Sequence, residues 1–429
     1  MRYVIVGNGI CGMEAALTLR ERSEESQIIL VSAEHDHLFS RPALMYLFSG
    51  QLRLQDAEPY DRRLYHRMRF ERVRSRVEGL DHAGRTLRLE GGERLGYDKL
   101  LLAVGSQGRS APWPGAEGEG IHRFVTLQDL EHLDKTARRG MRAAVIGGGL
   151  IGVEVAEILA HRGLKVTFFV RESWYFPVAL NEPESRLVAE HLRGHGLDVR
   201  LGAGVDEILR SETGEVRGVR SGGGVVDVDL IVSAIGVVPN TGFLRESGLD
   251  LSRGGAIEVD ESLRTNLPSV WAAGDCANVS WFDGSRRPEQ LWYTARDQGR
   301  VAARSMLGDD ARYRRGTWYN SAKFFDIEYT TAGWVPVSLN WDNTPAEPDP
   351  DVRTWFHRVP DRLESQRVVL RGDQVVGFNM LGSRWRHEPL IEWIEERRPL
   401  RWVLDHLSEA QFDEELSRRF VVHAGAAVP

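Results

Sequence analysis

The sequence predicts an α/β fold in which two units with parallel sheets are nested, followed by an α+β segment at the C-terminus. Three observations support this class. An apolar strand, a glycine-rich loop and a helix-like run occur in this order twice, and short apolar strands alternate with helical segments in both copies. A strand that ends in Gly-Asp then follows the second copy. Such alternation is typical of parallel sheets with crossover helices.

The first copy begins with an apolar strand at residues 3–6, which runs directly into the loop GNGICG at 7–12. A helix-like run extends from 13 to about 20, and a second apolar strand occupies 28–31. The copy closes on 101–105, an apolar strand that ends in a glycine turn. This order predicts a strand, loop, helix and strand unit.

The second copy repeats this order about 140 residues later. Its strand at 143–146 is followed by the loop GGGLIG at 147–152, a helix at 153–161 and a strand at 166–170. It closes on 230–236, which again ends in a glycine. The 429 residues, 42% of them hydrophobic, suit two or three domains of this size.

Each glycine loop follows a strand and begins a helix, and this context indicates a Rossmann-like dinucleotide-binding loop. The first glycine permits the tight turn, the second lets a pyrophosphate approach the backbone, and the third lets the helix pack on the strand. The helix N-terminus then offers free N–H groups to the phosphates. The predicted dinucleotide-binding glycines are Gly7, Gly9, Gly12, Gly147, Gly149, Gly152 and the closing Gly236.

The run TNLPSVWAAGD at 265–275 completes a resemblance that covers about residues 1–310. The chain resembles the two-domain flavoproteins of the glutathione reductase fold, in the branch of the ferredoxin and rubredoxin reductases and near the flavin units of nitrite reductases. The resemblance implies FAD, with Asp275 on its ribityl hydroxyls. It also implies the domains: a discontinuous FAD domain at 1–112 and 243–315, an NAD(P) domain at 113–242, and a C-terminal interface domain at 316–429.

Four further positions are implied by the same resemblance to contact FAD. Glu34 ends the second strand, where an acidic side chain accepts hydrogen bonds from the adenosine ribose. Arg41, in Ser-Arg-Pro, resembles an arginine that contacts the flavin nucleotide, and Arg109 has the spacing of another. Val77 lies where the backbone holds the adenine.

Four residues are candidates for a role at the reacting rings. Glu154 matches an acidic residue beside the nicotinamide, and Trp292 matches a tryptophan near the flavin on a helix that points at it. Tyr46 replaces a lysine that the ferredoxin reductases usually place near flavin N5. Lys323 resembles a lysine of the nitrite reductase branch. Core packing for Trp292 and a solvated or paired side chain for Lys323 are the simpler interpretations.

The nicotinamide preference stays open at the end of the second strand of the second copy. NAD-dependent relatives place a glutamate where this chain has Val170. Arg171 follows at the position of an arginine that binds the 2′-phosphate of NADP, and Glu172 would repel that phosphate. The residues favour NADPH slightly over NADH.

The two cysteines, Cys11 and Cys276, do not lie where relatives place a redox thiol, and neither belongs to a CxxC motif. Disulfide chemistry is therefore not expected, and the flavin would pass electrons directly to its acceptor. Histidines and cysteines are not seen together at ligand spacing, so no metal site is predicted.

Composition excludes other classes of function. The net charge of −7 without a basic run argues against nucleic-acid binding. The sequence contains no apolar run of about 18 residues, so no membrane span is expected. A strand that starts at residue 2 or 3 leaves no room for a signal peptide, and two cysteines suit a reducing compartment, so we expect a cytoplasmic protein.

In the C-terminal segment, strands are expected at about 352–358, 366–371 and 374–380, with a turn at 371–373. Two amphipathic helices are expected at about 387–396 and 400–407. The stretch 345–351 is rich in proline and acid and predicts an exposed loop. In the family this segment packs across the flavin or against the partner of a homodimer, but no motif in it indicates chemistry.

The expected function is oxidation of NADPH or NADH by FAD, with electrons passed to a small redox protein such as a rubredoxin or ferredoxin. One alternative is a small-molecule acceptor such as oxygen, a quinone or a nitrogen oxide. Another is a flavin subunit or redox sensor of a larger complex. The choice of acceptor rests on analogy with the fold.

Overall fold

The computed structural model describes residues 1–282, 284–335, 339, 347 and 349–412. Residues 345, 346 and 348 of the predicted loop at 345–351 lie outside the described residues. Along the described chain, the strands are β1 (Arg2–Val6), β2 (Gln27–Ser32), β3 (Phe70–Arg74), β4 (Val77–Asp81), β5 (Thr86–Leu89), β6 (Arg94–Gly96), β7 (Lys99–Leu102), β8 (Ser106–Gly108), β9 (Ile121–His122), β10 (Arg142–Ile146), β11 (Lys165–Val170), β12 (Asp198–Leu201), β13 (Glu207–Arg210), β14 (Val216–Ser221), β15 (Gly224–Asp227), β16 (Leu230–Ser233), β17 (Val237–Pro239), β18 (Ile257–Glu258), β19 (Val270–Ala272), β20 (Ala277–Ser280), β21 (Arg286–Arg287), β22 (Tyr319–Phe324), β23 (Ile327–Gly333), β24 (Val352–Arg358), β25 (Ser365–Arg371) and β26 (Gln374–Leu381).

The α-helices of the described chain are α1 (Ile10–Arg22), α2 (Leu44–Phe48), α3 (Arg63–Arg67), α4 (Leu127–Thr136), α5 (Leu150–His161), α6 (Glu182–Gly194), α7 (Trp292–Leu307), α8 (His387–Glu395) and α9 (Leu400–His406). None of the described helices is long and apolar enough to cross a membrane.

The first sheet has five parallel strands in the order β19-β7-β1-β2-β3. Its central strand β1 is buried from Tyr3 to Val6 because both faces are covered, which explains the unbroken apolar run. The strand of the Gly-Asp motif pairs with β7, with Val270 opposite Leu100. The chain therefore returns to the first sheet after the second copy is complete.

Helices α1 and α7 cross closely beside this sheet. The crossing depends on Gly299, since a Cβ atom there would lie 2.3 Å from the carbonyl oxygen of Cys11. Gln298 ties α7 to the Gly-Asp motif, because its Oε1 accepts a hydrogen bond of 2.7 Å from the backbone N–H of Gly274. The crossing therefore holds α7 against the phosphate loop of the first copy.

The second sheet is also parallel, in the order β12-β11-β10-β16-β9. Its strand β10 takes the place of β1, and Ala143 to Ile146 are buried. Helices α5 and α6 follow β10 and β11 as the crossovers. The α/β fold class with two Rossmann-like units is confirmed.

The C-terminal sheet is antiparallel, in the order β22-β23-β26-β25-β24. The predicted strands at 352–358, 366–371 and 374–380 and the two helices are confirmed to within a residue or two. Two further strands, β22 and β23, were not predicted. Helices α8 and α9 cover one face through a core that includes Trp385, Trp393, Val403 and Phe378. The α+β character of this segment is confirmed.

The chain forms two compact units. The first unit comprises residues 1–110, 124–135 and 236–316, and it contains the first sheet. The second comprises 111–123, 136–235 and 317–429, and it contains the second sheet and the C-terminal sheet.

Residues 124–135 fall in the first unit, although the predicted NAD(P) domain at 113–242 includes them. The reason is local. The carbonyl oxygen of Val125 accepts a hydrogen bond from Arg41, and the backbone N–H of Leu127 donates to Glu34. The division into three domains with the boundaries given above stays a prediction.

Candidate active site

The first glycine loop has the geometry that a phosphate loop needs. Gly7 adopts φ +112°, and a Cβ atom there would lie 2.0 Å from the carbonyl oxygen of Ala103. A Cβ atom on Gly12 would lie 2.0 Å from the carbonyl oxygen of Gly7. At Gly9, in contrast, no described atom lies within 4 Å of a Cβ position. Two glycines are needed for packing, and the third borders open space.

Gly9 is also the N-cap residue of α1, and it provides no side-chain oxygen for the first turn. The first turn contains no acidic side chain. Its backbone N–H groups and the positive end of the helix dipole therefore face the open space beside Gly9. These residues fit a dinucleotide pyrophosphate.

The second glycine loop repeats this geometry within the second unit. Gly147 adopts φ +128° with a would-be Cβ 2.3 Å from the carbonyl oxygen of Ala234, and Gly152 packs on the Gly147 carbonyl at 2.0 Å. Gly149 is the N-cap of α5, and within the described chain nothing lies within 4 Å of its Cβ position. The second loop therefore also fits a pyrophosphate.

Asp275 follows β19 in a short helical turn and is half-buried. The Ser106 hydroxyl donates a hydrogen bond of 2.9 Å to its Oδ2 atom. Burial raises the pKa of Asp275, while the hydrogen bond from Ser106 and the charge of Arg41 oppose the rise. A carboxylate has about four acceptor positions. Capacity therefore remains for the ribityl hydroxyls that the resemblance implies.

Glu34 and Arg41 are brought together as an ion pair. Arg41 Nη1 and Nη2 donate to the two carboxylate oxygens of Glu34 at 2.9 and 2.6 Å, and the Leu127 N–H donates at 2.9 Å. Burial would raise the pKa of Glu34, but these hydrogen bonds hold it below its usual value. Glu34 is thus an ionised acceptor that a ribose would share with Arg41.

The other predicted FAD residues of the first unit differ in exposure. Val77 is buried at the start of β4, whereas Arg109 is exposed just after β8. The backbone N–H of Arg109 donates to the carbonyl oxygen of Gly236 at 3.0 Å, which joins these two predicted positions. Tyr46 is half-buried on α2. Their contacts with FAD stay predictions.

Trp292 is the first residue of α7 and is half-buried. The N-cap residue, Leu291, caps no N–H with its side chain, and the first turn of α7 contains no acidic residue. The positive end of this 16-residue helix can therefore favour negative charge on a bound group.

Glu154 has a carboxyl group whose pKa is strongly perturbed. It lies on α5, and burial, reinforced by the charge of Glu157 one turn later, raises its pKa to about 7. Tyr175 is fully buried nearby, and burial and the charge of Glu154 raise its pKa. Glu154 can therefore exchange a proton near neutral pH.

Lys323 forms an ion pair with Glu328, its cross-strand neighbour in the β22–β23 hairpin, at 3.1 Å. This contact agrees with the simpler interpretation of a paired side chain. A role of Lys323 near the flavin stays a prediction.

Arg171 is 75% exposed and donates to Glu172 Oε1 through Nη2 at 2.8 Å. Val170, at the end of β11, is fully buried and offers no hydrogen-bonding side chain. The residue expected to bind a 2′-phosphate is thus held by the acid that was expected to repel it.

Both cysteines are free and buried. Burial raises the pKa of Cys11 well above the usual thiol value and that of Cys276 to about 12. A thiol that stays protonated at neutral pH is a poor nucleophile and does not drive disulfide exchange. The expectation that no redox-active disulfide operates here agrees with these environments.

The comparisons with known proteins agree with this geometry. The family model "Pyridine nucleotide-disulphide oxidoreductase" matches residues 1–299. A 5,5′-dehydrodivanillate O-demethylase ferredoxin reductase subunit from a Sphingobium species is 30% identical over 399 residues, which cover 87% of this chain and 94% of that protein. An NADH oxidase from Methanocaldococcus jannaschii is 26% identical over 398 residues, 89% of this chain and 88% of that one.

Among solved structures, a ferredoxin reductase from Rhodopseudomonas palustris superposes with a TM-score of 0.78 at 23% identity and covers 89% of this chain and 91% of its own. This similarity supports the fold alone. The fold and the two loops define a class, the enzymes with paired dinucleotide-binding domains. The chain belongs to the pyridine nucleotide-disulphide oxidoreductase family and is an FAD-dependent NAD(P)H oxidoreductase.

One group of side chains was missed by the sequence analysis. His191 and His195 are four residues apart, and the structure brings Asp326 to them from the β22–β23 turn. The spacing His-x3-His was a usable signal, because residues i and i+4 share one face of a helix. The carboxylate could not be found, since it lies 131 residues beyond His195.

Proposed function

We propose that this FAD-dependent enzyme passes electrons from NADPH or NADH to a small redox protein such as a ferredoxin or rubredoxin. The observation that carries the proposal is the pair of open helix N-termini at Gly9 and Gly149, one in each unit, without a reactive thiol. The Sphingobium relative, named as a ferredoxin reductase subunit, supports the choice of acceptor.

The residues that would hold FAD lie in the first unit. The N–H groups at the start of α1 would bind the pyrophosphate, Asp275 would accept hydrogen bonds from the ribityl chain, and Glu34 would accept from the adenosine ribose. Val77, Arg41 and Arg109 complete the proposed contacts. When bound, FAD supplies the capacity to accept a hydride and to release electrons singly.

The residues that would hold NAD(P)H lie in the second unit. The N–H groups at the start of α5 would bind the pyrophosphate beside Gly149, and Arg171 would contact the 2′-phosphate after it leaves Glu172. Glu154 would orient the nicotinamide amide, as acceptor when ionised and as donor when protonated. Hydride transfer itself needs no side-chain acid or base, so these residues contribute position and electrostatics.

The N-terminus of α7 would stabilise negative charge that develops on the bound ring system. Trp292 would pack beside the ring, and Tyr46 would replace the usual lysine. An exchange of lysine for tyrosine removes a positive charge, which would change the electrostatics that the acceptor meets.

A second candidate is reduction of a small molecule such as oxygen. The specific observation in its favour is the similarity to the Methanocaldococcus NADH oxidase over 89% of this chain. Rapid turnover with oxygen and without a partner protein would support this candidate over a redox-protein acceptor.

The first experiment is anaerobic stopped-flow absorbance of the purified flavoprotein, mixed separately with NADH and NADPH. We expect rapid bleaching of the flavin band, faster with NADPH. The reduced enzyme is then mixed with a ferredoxin, a rubredoxin or oxygen, and the rate of flavin reoxidation identifies the acceptor. A bound flavin that neither coenzyme bleaches would contradict the proposal and favour a redox sensor or a subunit of a larger complex.

We also propose a cytoplasmic location and a homodimer. Two reduced, buried thiols suit a reducing compartment. Light scattering coupled to gel filtration measures the oligomeric state, and a monomeric mass would contradict the homodimer.

A further inference from the structure

Two histidines and one aspartate form a compact cluster in the second unit. His191 lies in the last turn of α6, His195 is its C-cap residue, and Asp326 lies in the turn between β22 and β23. The Nε2 atom of His191 lies 2.5 Å from Asp326 Oδ1, and that of His195 lies 3.7 Å from the same oxygen. One ligand atom of each side chain lies within 4.8 Å of the other two.

The cluster is held in place by neighbours. The Nδ1 atom of His195 lies 3.0 Å from the carbonyl oxygen of His191. A carbonyl oxygen can only accept, so Nδ1 carries the proton and Nε2 presents its lone pair to the cluster. The Phe325 ring packs on the His195 ring at 4.5 Å, and the His191 side chain is 9% exposed.

We propose that His191, His195 and Asp326 form a binding site for Zn²⁺. Two imidazole nitrogens and one carboxylate oxygen are a common ligand set for this ion, with water as the fourth ligand. Hard cations such as Mg²⁺ prefer oxygen ligands, so this set selects against them.

Zinc binding needs a small movement of the ligands and displaces the proton that His191 Nε2 donates to Asp326. Ligand atoms about 2.0–2.1 Å from a tetrahedral zinc ion lie roughly 3.3 Å apart. The 3.7 Å separation of His195 and Asp326 is close to this value, whereas the 2.5 Å contact of His191 must open by somewhat less than 1 Å. The Asp326 side chain is 74% exposed and lies in a turn, so it can move by this amount.

The electrostatic surroundings support a cation. Glu157 interacts with His195 and accepts a hydrogen bond from the backbone N–H of Phe325. The nearby Lys323 pairs with Glu328 at 3.1 Å, and Glu328 also pairs with Arg384 at 3.0 Å. A bound dication would therefore meet two carboxylates, Asp326 and Glu157, and a lysine whose charge Glu328 offsets in part.

A second group of similar composition, His35, His37 and Glu58, lies in the first unit and lacks this character. Arg72 Nη1 lies 2.7 Å from His37 Nε2, and Arg62 pairs with Glu58 at 2.7 Å. Arg72 occupies the Nε2 atom of His37, and the positive charges of Arg72 and Arg62 disfavour a cation at this position. The residue types of a cluster therefore do not by themselves predict a metal site, because the neighbouring side chains determine whether the ligand atoms are available.

A zinc ion here would link α6 of the second sheet to the β22–β23 turn of the C-terminal sheet. Because the zinc ion would bind the folded chain and not the unfolded chain, it would stabilise the folded chain by mass action. We therefore expect the thermal midpoint of the second unit to rise with zinc concentration.

The test is isothermal titration of tag-free holoenzyme with ZnCl₂, after dialysis against a chelator and in the presence of excess Mg²⁺. We expect one equivalent per chain with micromolar or tighter affinity. His195→Ala should weaken the affinity by at least about tenfold, and Asp326→Asn by about tenfold, because each removes one ligand. A far-ultraviolet circular dichroism spectrum and a thermal midpoint without zinc that equal those of the wild type show that each variant is folded.

The matched control is His66→Ala, which removes an exposed histidine from the short helix α3. Its zinc affinity should equal that of the wild type. X-ray absorption at the zinc edge should show two imidazole ligands. No binding by the wild type, the same affinity in His195→Ala, or an equal loss in His66→Ala would overturn the proposal.

Discussion

Asp275 is the residue on which FAD retention should depend most directly. Asp275→Ala removes the carboxylate that Ser106 orients, so we expect a protein with little bound FAD, measured as the flavin-to-protein ratio after gel filtration. Asp275→Asn keeps the shape with fewer acceptors and should retain an intermediate amount. The exposed Asp250 provides the control, and Asp250→Ala should keep its flavin. A fully loaded Asp275→Ala would refute the assignment.

The coenzyme preference depends on the contact between Arg171 and Glu172. Arg171→Ala should lower kcat/KM for NADPH by about tenfold and leave the value for NADH nearly unchanged, because only NADPH carries the 2′-phosphate. Glu172→Gln releases Arg171 and should raise the value for NADPH. Arg53→Ala is matched, since Arg53 is also 75% exposed and pairs with a neighbouring acid. An unchanged ratio between the coenzymes would remove the preference for NADPH.

Glu154 makes stability depend on pH. Its folded-state pKa is raised from 4.5 to about 7, so the folded chain binds the proton more tightly than the unfolded chain. This contribution is fully present below pH 4.5 and is lost as the pH rises through about 7. Glu154→Gln cannot ionise, so its thermal midpoint relative to the wild type should be higher at about pH 8 than at about pH 5.

The control for this pH effect is Glu190→Gln on the exposed face of α6. Its difference from the wild type should be the same at both pH values. A constant difference for Glu154→Gln as well would show that this carboxyl group does not titrate in the range given.

At the scale of elements, a glycine-to-alanine substitution in each loop can distinguish the roles of the two glycine loops. Gly9 and Gly149 have extended N-cap backbones and open Cβ positions, so alanine fits both without strain. Gly9→Ala should fold and lose FAD affinity. Gly149→Ala should keep FAD and show weaker NAD(P)H binding, measured as the coenzyme dependence of flavin bleaching.

Each of these variants is the control for the other. Equal effects of both on flavin content would contradict the assignment of the loops. Gly7→Ala differs from both, because its Cβ would meet the Ala103 carbonyl at 2.0 Å and would disturb the turn itself.

Some strands could be predicted from the sequence and others could not. The strands β25 and β26 have apolar runs and a turn with Gly372 at φ +64°, so local pattern was enough. The edge strand β22 is only partly buried along Tyr319–Phe324, and its sequence has no clear alternation. It forms because β23 offers a pairing edge, which is a property of the sheet.

At the scale of the whole molecule, a buried ion pair joins α6 to the C-terminal sheet within the second unit. Arg367 Nε lies 3.0 and 3.1 Å from the two oxygens of Glu184, and both side chains are almost fully buried. Arg367→Met leaves Glu184 buried without its partner, so we expect the free energy of unfolding to fall by about 3–5 kcal/mol. Urea-induced change in tryptophan fluorescence measures it.

The double variant Arg367→Met with Glu184→Leu should recover part of that loss, because neither charge then stays buried. The control is Arg186→Met, which breaks the exposed pair with Glu182 on the same helix and should cost about 0–1 kcal/mol. Equal losses in Arg367→Met and Arg186→Met would show that the buried pair does not hold these elements together.

The sequence by itself determined the two parallel sheets, the two phosphate loops, the Gly-Asp motif and the three C-terminal strands with their helices. These features depend on local pattern: apolar runs, glycines at fixed spacing, and strand-to-helix order. Only the tertiary structure decided that Arg41 pairs with Glu34, that Glu172 holds Arg171, that residues 124–135 belong to the first unit, and that Asp326 reaches His191. Apart from Arg171 and Glu172, which are neighbours in the sequence, such contacts join residues that packing selects among several accessible charges, and linear spacing contains no information about that choice.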